Sequence, residues 1–335
     1  MRFGPVPTAE ALGAILAHSV PLPGGGRLRK GMILGPEDLA DLRAARIAEV
    51  TVARLDPGDV PEDAAAARLA AALVPDPAAA LLARSDAFTG RVNLNAMAPG
   101  LVALDTARIH ALNRIDPAIT LATLAPLMRV TPGMLVGTVK IISYAVAPGA
   151  LAAAEHVARA AIRILPVTRA SAGLLLTEVP GQDEKLAAKG RRAVEGRLAA
   201  LGMTLAGCVV AAHDPAAMAA ALADLPGDML LILTGSATSD LHDTAPQALT
   251  LAGGHVARFG MPVDPGNLLF HGRLKDRPVI GLPGCARSPA LNGADWVLER
   301  MACGLDPSDD DIAAMGVGGL LKEIPIRPQP REPRP

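Results

Sequence analysis

The chain has 335 residues, half of them hydrophobic but only 2% aromatic, and a formal charge of −1. Its core must be built from Ala, Val, Leu and Ile, which suits helices packed on sheets. The near-neutral balance, with no sustained run of Lys or Arg, argues against a nucleic-acid surface. Cys208, Cys285 and Cys303 are too few and scattered for a disulfide framework or zinc cage, and fit a reducing compartment. The first residues lack a charged-then-apolar signal layout, and no stretch reaches the ~18 apolar residues that a membrane span requires. The expectation is a cytoplasmic protein that uses neither membrane nor nucleic acid.

Thr8 and Glu10 ahead of Leu12, Ile15 and Leu16 predict a short helix, and Pro21–Gly26 a turn. A basic strand-like stretch from Arg27 follows. Pro36-Glu37-Asp38 then opens a helix with Leu39, Leu42 and Ala45 on one face, and Ile47–Leu55 alternates like a strand. Asp56-Pro57-Gly58-Asp59 closes it with turn chemistry, and Pro61–Leu73 is an Ala-rich helix. Beyond Phe88 the chain is broken by Gly and Pro, with strands expected at Leu101–Leu104 and Val136–Ile142. A second Ala-rich helix is expected over Ala150–Ile164, with a domain boundary near Pro166. Residues 1–165 thus read as a smaller, mixed α+β N-terminal domain.

The pattern then becomes regular. Strand Ala172–Val179 leads to a helix over Asp183–Leu201, with Leu186, Val194 and Leu198 inward and Arg191, Arg192 and Arg197 towards solvent. Strand Leu205–Ala211 precedes a helix opened by Asp214-Pro215. Met229–Leu233 is apolar at every position, as a strand covered on both faces must be. Thr244 to Gln247 fits a capping box, and Gly253-Gly254 ends the helix it opens. The expected fold is α/β, with a doubly wound three-layer αβα domain over residues 166–322 and a Pro-rich tail over 323–335.

In such a sheet, ligands bind beyond the carboxyl ends of the strands. Three loops belong there. Thr234-Gly235-Ser236-Ala237-Thr238-Ser239-Asp240 follows the buried strand, and its small residues and hydroxyls suit an anion; the bland alternative is an ordinary polar loop. Pro262 to Asn267, containing Pro265-Gly266, follows a strand at His255–Phe259. Gly281-Leu282-Pro283-Gly284-Cys285-Ala286-Arg287-Ser288 follows a strand at Pro278–Ile280 and is expected to lead into a helix. Arg287 either offers charge to an anion or lies solvated in the first turn. A carboxylate beside an anion repels it unless it holds a metal or accepts from a donor edge. Asp243 is therefore either a ligand-orienting group or a helix cap, and Asp240 either the same or solvated. Cys285 reads as a small buried thiol, and Trp296 as core. The scattered histidines, His213 among them, show no metal-ligand spacing, so no metal site is expected.

Taken in order, Thr234-Gly235-Ser236-Ala237-Thr238 with Asp243, then Pro265-Gly266, then Gly281-Leu282-Pro283-Gly284 with Ser288, resemble a known set of motifs. The set is that of the molybdopterin-binding (MoaB/Mog-type) domain of molybdenum-cofactor biosynthesis proteins, particularly the molybdopterin molybdotransferase (molybdenum insertase) family. The resemblance spans residues 172–304. It implies a pterin-phosphate ligand at Thr234, Gly235, Ser236, Ala237, Thr238, Asp240, Asp243, Pro265, Gly266, Gly281, Pro283, Gly284, Arg287 and Ser288. It implies Asp243 as the catalytic residue, orienting the pterin, whose amino group beside a ring N–H is a donor edge, or a metal such as Mg²⁺. The sequence departs from the family pattern at Ser236 for a second Gly, Asp264 and Asn267 for cations, and Cys285-Ala286 for Asn-Pro. Fewer cations weaken molybdate handling more than pterin binding. Three readings stay open: a molybdotransferase-like enzyme that binds molybdopterin and assists molybdate insertion; a non-catalytic carrier or sensor that partners a molybdenum-cofactor cytidylyltransferase or a molybdoenzyme; and an unrelated nucleotide-binding enzyme. A homodimer is a further expectation from the resemblance.

Overall fold

Residues 1–23, 25–181 and 185–321 are described by the computed structural model. The tail over 323–335 lies outside them, as does Asp183, where the long helix was expected to start. The chain divides into one unit of Met1–Ala98 with Val102–Ile164, and a second of Pro99–Leu101 with the residues from Leu165 onward.

In the first unit, Arg2–Pro7 and Ile15–Leu16 each pair antiparallel with Glu49–Arg54. Helix Pro36–Ala44 adds Leu39 and Leu42 to a small core with Leu16, Leu34, Val50 and Val52. The helix expected from Thr8 is a single 3-10 turn, Thr8–Glu10, and does not run on to Leu16. The Thr8 hydroxyl donates to the Ile47 carbonyl at 2.6 Å, Gly13 turns the backbone to φ 73°, and Ile15–Leu16 joins the sheet instead. A four-stranded antiparallel sheet has the order Ile119–Thr123, Leu135–Ile141, Arg91–Ala96, Leu82–Arg84. It shares a core with helices Glu62–Leu73 and Pro148–Ala158, through residues such as Leu69, Leu94, Val139 and Leu151. The second Ala-rich helix stops at Ala158, short of the expected Ile164. Ala160 takes φ 55°, and Ile162 and Ile164, alternating with Arg163, are buried in a strand over Ile162–Pro166. Branched side chains at period two favour the strand.

The second unit holds strands β1 (Ser171–Glu178), β2 (Thr204–Ala212), β3 (Met229–Leu233), β4 (His255–Phe259), β5 (Phe270–Leu274) and β6 (Arg277–Gly281). Its helices are α1 (Lys185–Ala200), α2 (Pro215–Asp224), α3 (Thr244–Leu251), α4 (Gly293–Ala302) and α5 (Asp309–Ala314). The sheet order is β2-β1-β3-β6-β5-β4. The first four of these are mutually parallel, while β5 runs antiparallel to both β6 and β4. Every residue of β3 is buried. Met229, Leu231 and Leu233 face a core with Val194 and Leu198 of α1 and Val297, Leu298 and Met301 of α4. Leu230 and Ile232 face the opposite core, with Met218 and Leu222 of α2 and Ala248 and Leu249 of α3. This is a three-layer α/β domain, and the continuous apolar run of β3 follows from cover on both faces.

Strand β5 is not apparent in the sequence. It lies in a hairpin with β6 across the two residues Lys275-Asp276, with Lys275 at φ 55°. Its effect is to make the sheet mixed and to move β4 to the outer edge. Two reversals of direction leave β4 parallel to β6, so the loops after β3, β4 and β6 all leave the sheet at the same end.

Candidate functional site

The loop after β3 is tied down at its start and open in its middle. Thr234 is buried, and its hydroxyl donates to the Ser236 carbonyl. The Gly235 N–H donates to Thr177 Oγ1 at 2.8 Å, from the end of β1. Thr177 Oγ1 in turn lies 3.0 Å from Nδ1 of His213, the residue after β2. Between them, β1 and β2 hold this loop from below. Sequence reasoning missed Thr177 and gave His213 no role. The only signal was their position, one residue from the ends of two parallel strands. Further along, the backbone N–H groups of Ser236, Ala237 and Thr238 find no acceptor among the described residues. Successive free N–H groups form a concavity that suits an anion.

The second half of this loop is held by its own carboxylates. Asp243 is the N-cap of α3: Oδ1 accepts from the Thr244 N–H at 2.7 Å and Oδ2 from the Ser239 N–H at 2.8 Å. The capping box expected at Thr244 does not form: the N-cap is Asp243, and Gln247 reaches the His242 carbonyl instead. Burial pushes the Asp243 carboxyl up, but the Ser239 and Thr244 N–H groups and nearby His213 outweigh it, leaving it below the usual carboxylate range. Asp240 Oδ1 accepts from the His242 N–H at 2.8 Å, and its side chain is exposed.

Pro265 and Gly266 face the start of α4. The Pro265 carbonyl accepts from the Gly293 N–H at 2.8 Å. Gly266, at φ 142°, is so close that a Cβ there would lie 2.6 Å from the Gly293 nitrogen. Asp264 exchanges backbone hydrogen bonds with Gly319 and Leu321. This turn therefore occupies one of the free donors of α4.

The third loop differs from expectation. Gly284–Arg287 is a single 3-10 turn, and α4 begins only at Gly293, where Asn292 and Asp295 form a capping box. Ser288 and Pro289 lie in the bend between, and Ser288 Oγ accepts from the Ala290 N–H at 3.2 Å. Gly281 ends β6 beneath the Phe270 ring: an added Cβ would lie 1.9 Å from the ring edge. Its lack of a side chain serves packing. Pro283 is buried at the start of the turn, Gly284 is exposed, and Cys285 is exposed rather than the buried thiol expected.

Arg287 joins the first and third loops. Its guanidinium donates to the Thr234 carbonyl, and its Nε is buried with no partner among the described residues. Burial lowers its pKa. It is thus a half-buried tether rather than a solvated first-turn side chain. Arg197, expected towards solvent, is also buried. It pairs with Asp295 and donates to the carbonyls of Ala286, Ser288 and Ala290. The flank of α1 meets the third loop there, a contact that helical periodicity within α1 does not encode. Among the described residues, no group of three His, Cys, Asp or Glu side chains is placed to hold a metal ion, and no helix is long and apolar enough to cross a membrane.

Comparisons with known proteins add the following. A family model described as a domain of unknown function (DUF8806) matches residues 5–54, the part built around Leu16, Leu42 and Val52. No curated protein matches the chain. Among solved structures, the molybdopterin biosynthesis MoeA protein from Pyrococcus horikosii is 14% identical, with 90% of this chain and 76% of that one covered and a TM-score of 0.30. A molybdenum cofactor biosynthesis protein from Pyrococcus furiosus is 12% identical, with 93% and 65% covered and a TM-score of 0.23. Both superpositions are loose.

Proposed function

We propose that the second unit binds molybdopterin through its phosphate, at the junction of the loops after β3 and β6, and acts in molybdenum-cofactor biosynthesis as a binding and handover protein. One observation carries this reading: Arg287 spans the two loops with its Nε unpartnered, held on the carbonyl of Thr234, in the same loop as the free N–H groups of Ser236, Ala237 and Thr238. A phosphate takes several backbone N–H donors together with a guanidinium, each of which gains strength when water is excluded. The ordered loop motifs of the sequence name the pterin as the rest of the ligand. In this reading Asp243 works first by latching the loop through Ser239. Its oxygens each keep a lone pair for a pterin amino group. His213, held by Thr177, is a second donor at the same end of the sheet.

The cations that molybdate transfer demands are represented at these loops by Arg287, with Asp264 and Asn267 at the positions where the family motif carries cations. That favours binding over turnover. The test is anaerobic titration with molybdopterin, read by co-elution of pterin fluorescence with the protein. Retention of pterin supports the proposal. Retention of a nucleotide without pterin assigns the loops to a nucleotide-binding enzyme. Conversion of molybdate and molybdopterin into active cofactor moves the protein from carrier to molybdotransferase, and co-elution with a cytidylyltransferase names its recipient.

A further inference from the structure

The loop after β3 is pinned on both sides of its free donors. On the far side the Asp243 carboxylate holds the Ser239 N–H at 2.8 Å. On the near side Thr177 Oγ1 holds the Gly235 N–H, also at 2.8 Å. Ser236, Ala237 and Thr238 lie between the two pins. Thr177 is only 4% exposed, so its hydroxyl depends on protein partners. Among the described residues these are the Gly235 N–H and Nδ1 of His213, the latter at 3.0 Å. A backbone N–H can only donate, so Oγ1 accepts from Gly235 and still has its own proton to place. The acceptor within reach is Nδ1, which must then carry no proton. In the opposite tautomer Nδ1–H would donate to Oγ1 and leave the buried Thr177 proton without an acceptor, an arrangement that buried polar groups avoid. The chain from Gly235 through Thr177 to His213 therefore runs in one direction, and the ring proton sits on Nε2. His213 is itself fixed, its backbone N–H donating to the Glu178 carbonyl at 3.1 Å. It also bears on the far pin, since it helps to lower the Asp243 carboxyl.

We infer that Thr177 and His213 are positioning residues for the anion loop. His213 Nδ1 orients the Thr177 hydroxyl, the hydroxyl takes the Gly235 N–H, and the next three N–H groups are left for the ligand. The inference rests on the reading that those three groups bind phosphate. The role uses Oγ1 and Nδ1, and leaves Nε2–H as the ring's free donor. It works by fixing the donors before the ligand arrives, so that binding does not have to order them.

The test is the affinity of the full chain for inorganic phosphate and for molybdopterin, with the amides of residues 235–239 followed by NMR. Thr177→Val keeps the shape and drops the hydroxyl. It is expected to weaken both ligands about tenfold, and Thr177→Ser to restore most of the loss. His213→Asn offers an acceptor oxygen at the reach of Nδ1 and is expected to keep most of the affinity, whereas His213→Leu loses as much as Thr177→Val. The imidazole ¹⁵N spectrum of the neutral ring is expected to place the proton on Nε2. Three results each overturn the inference while phosphate binding stands: equal affinity in wild type and Thr177→Val, affinity kept by His213→Gln but not by His213→Asn, or a proton on Nδ1. A wild-type chain that retains neither phosphate nor pterin overturns the binding reading and this inference together. Should Thr177→Val fail to fold, His213→Asn against His213→Leu decides, and equal affinities overturn the role.

Discussion

Arg197 on α1 and Asp295 in the first turn of α4 form an ion pair whose side chains are only 9% and 10% exposed. The same guanidinium satisfies the carbonyls of Ala286, Ser288 and Ala290, while Asp295 Oδ2 accepts from the Asn292 N–H at 2.8 Å. One pair therefore shapes the loop after β6 and caps the helix that follows it. Removing one partner strands a buried charge, at a cost of about 3–5 kcal/mol. Arg197→Met is expected to lower the unfolding free energy by that order, and Arg197→Lys to recover only part, because an ammonium lacks the planar fork. Equilibrium unfolding followed by circular dichroism measures both.

Arg287 tests the anion site directly. Its charge-assisted contact with a phosphate is worth about 1.5–3 kcal/mol, so Arg287→Met is expected to weaken pterin retention roughly 10- to 100-fold. Its stability should change far less than that of Arg197→Met. Fluorescence titration of both variants at matched folded fraction separates the two effects.

Asp243 links loop geometry to pH. Its carboxyl titrates below the ordinary value of 3.8 because the charged form accepts from Ser239 and Thr244. That stabilisation is complete above the unfolded value and is lost as pH falls through the lower folded one. Asp243→Ala is expected to cost about 1 kcal/mol as a lost cap and to weaken pterin binding by freeing Ser239. Acid unfolding of the variant should begin from a lower plateau yet show a shallower loss below the ordinary carboxylate range. Unchanged binding in Asp243→Ala would confine the residue to capping α3.

His271 lies on β5, 4% exposed, with Nε2 unpartnered among the described residues. Burial is the main cause that lowers its pKa below 6.5, with Arg258 adding to it and Asp309 and Asp306 opposing. The folded state then prefers the neutral ring, so stability is full above the ordinary value and declines as pH drops towards the folded one. Between about pH 7.5 and about pH 5.5, the wild-type urea midpoint should fall more than that of His271→Phe.

Gly281 separates a packing glycine from a ligand-contacting one. With Phe270 1.9 Å from an added Cβ, Gly281→Ala is expected to destabilise by about 1–3 kcal/mol through overpacking. Adding Phe270→Leu should return part of it. Pterin affinity of the folded fraction should stay near wild type.

The unbroken apolar run of β3, Asp214-Pro215 at the start of α2, and Gly253-Gly254 after α3 were legible because each depends on local backbone chemistry or strict periodicity. The failures share a different cause. Continuing the Thr8 turn to Leu16 and the Ala-rich helix to Ile164 satisfied local propensity, but sheet partners offered Leu16 and Ile162 better burial as strands. β5 was hidden because Phe270-His271-Gly272-Arg273-Leu274 has little apolar content of its own, and Gly272 is required by the backbone of His255 beside it.

Sequence alone determined that the second half is an α/β domain, and that small, hydroxyl-rich and Gly-Pro loops follow its strands. Those properties belong to single segments, where side-chain size, period and turn chemistry act over a few residues. Only the tertiary structure decided which groups meet. It placed Arg287 on the Thr234 carbonyl, Thr177 and His213 beneath Gly235, and Arg197 inside the third loop. Those contacts join segments far apart in the chain, and they exist because burial of the two apolar cores on either face of β3 sets the strand order that brings their ends together.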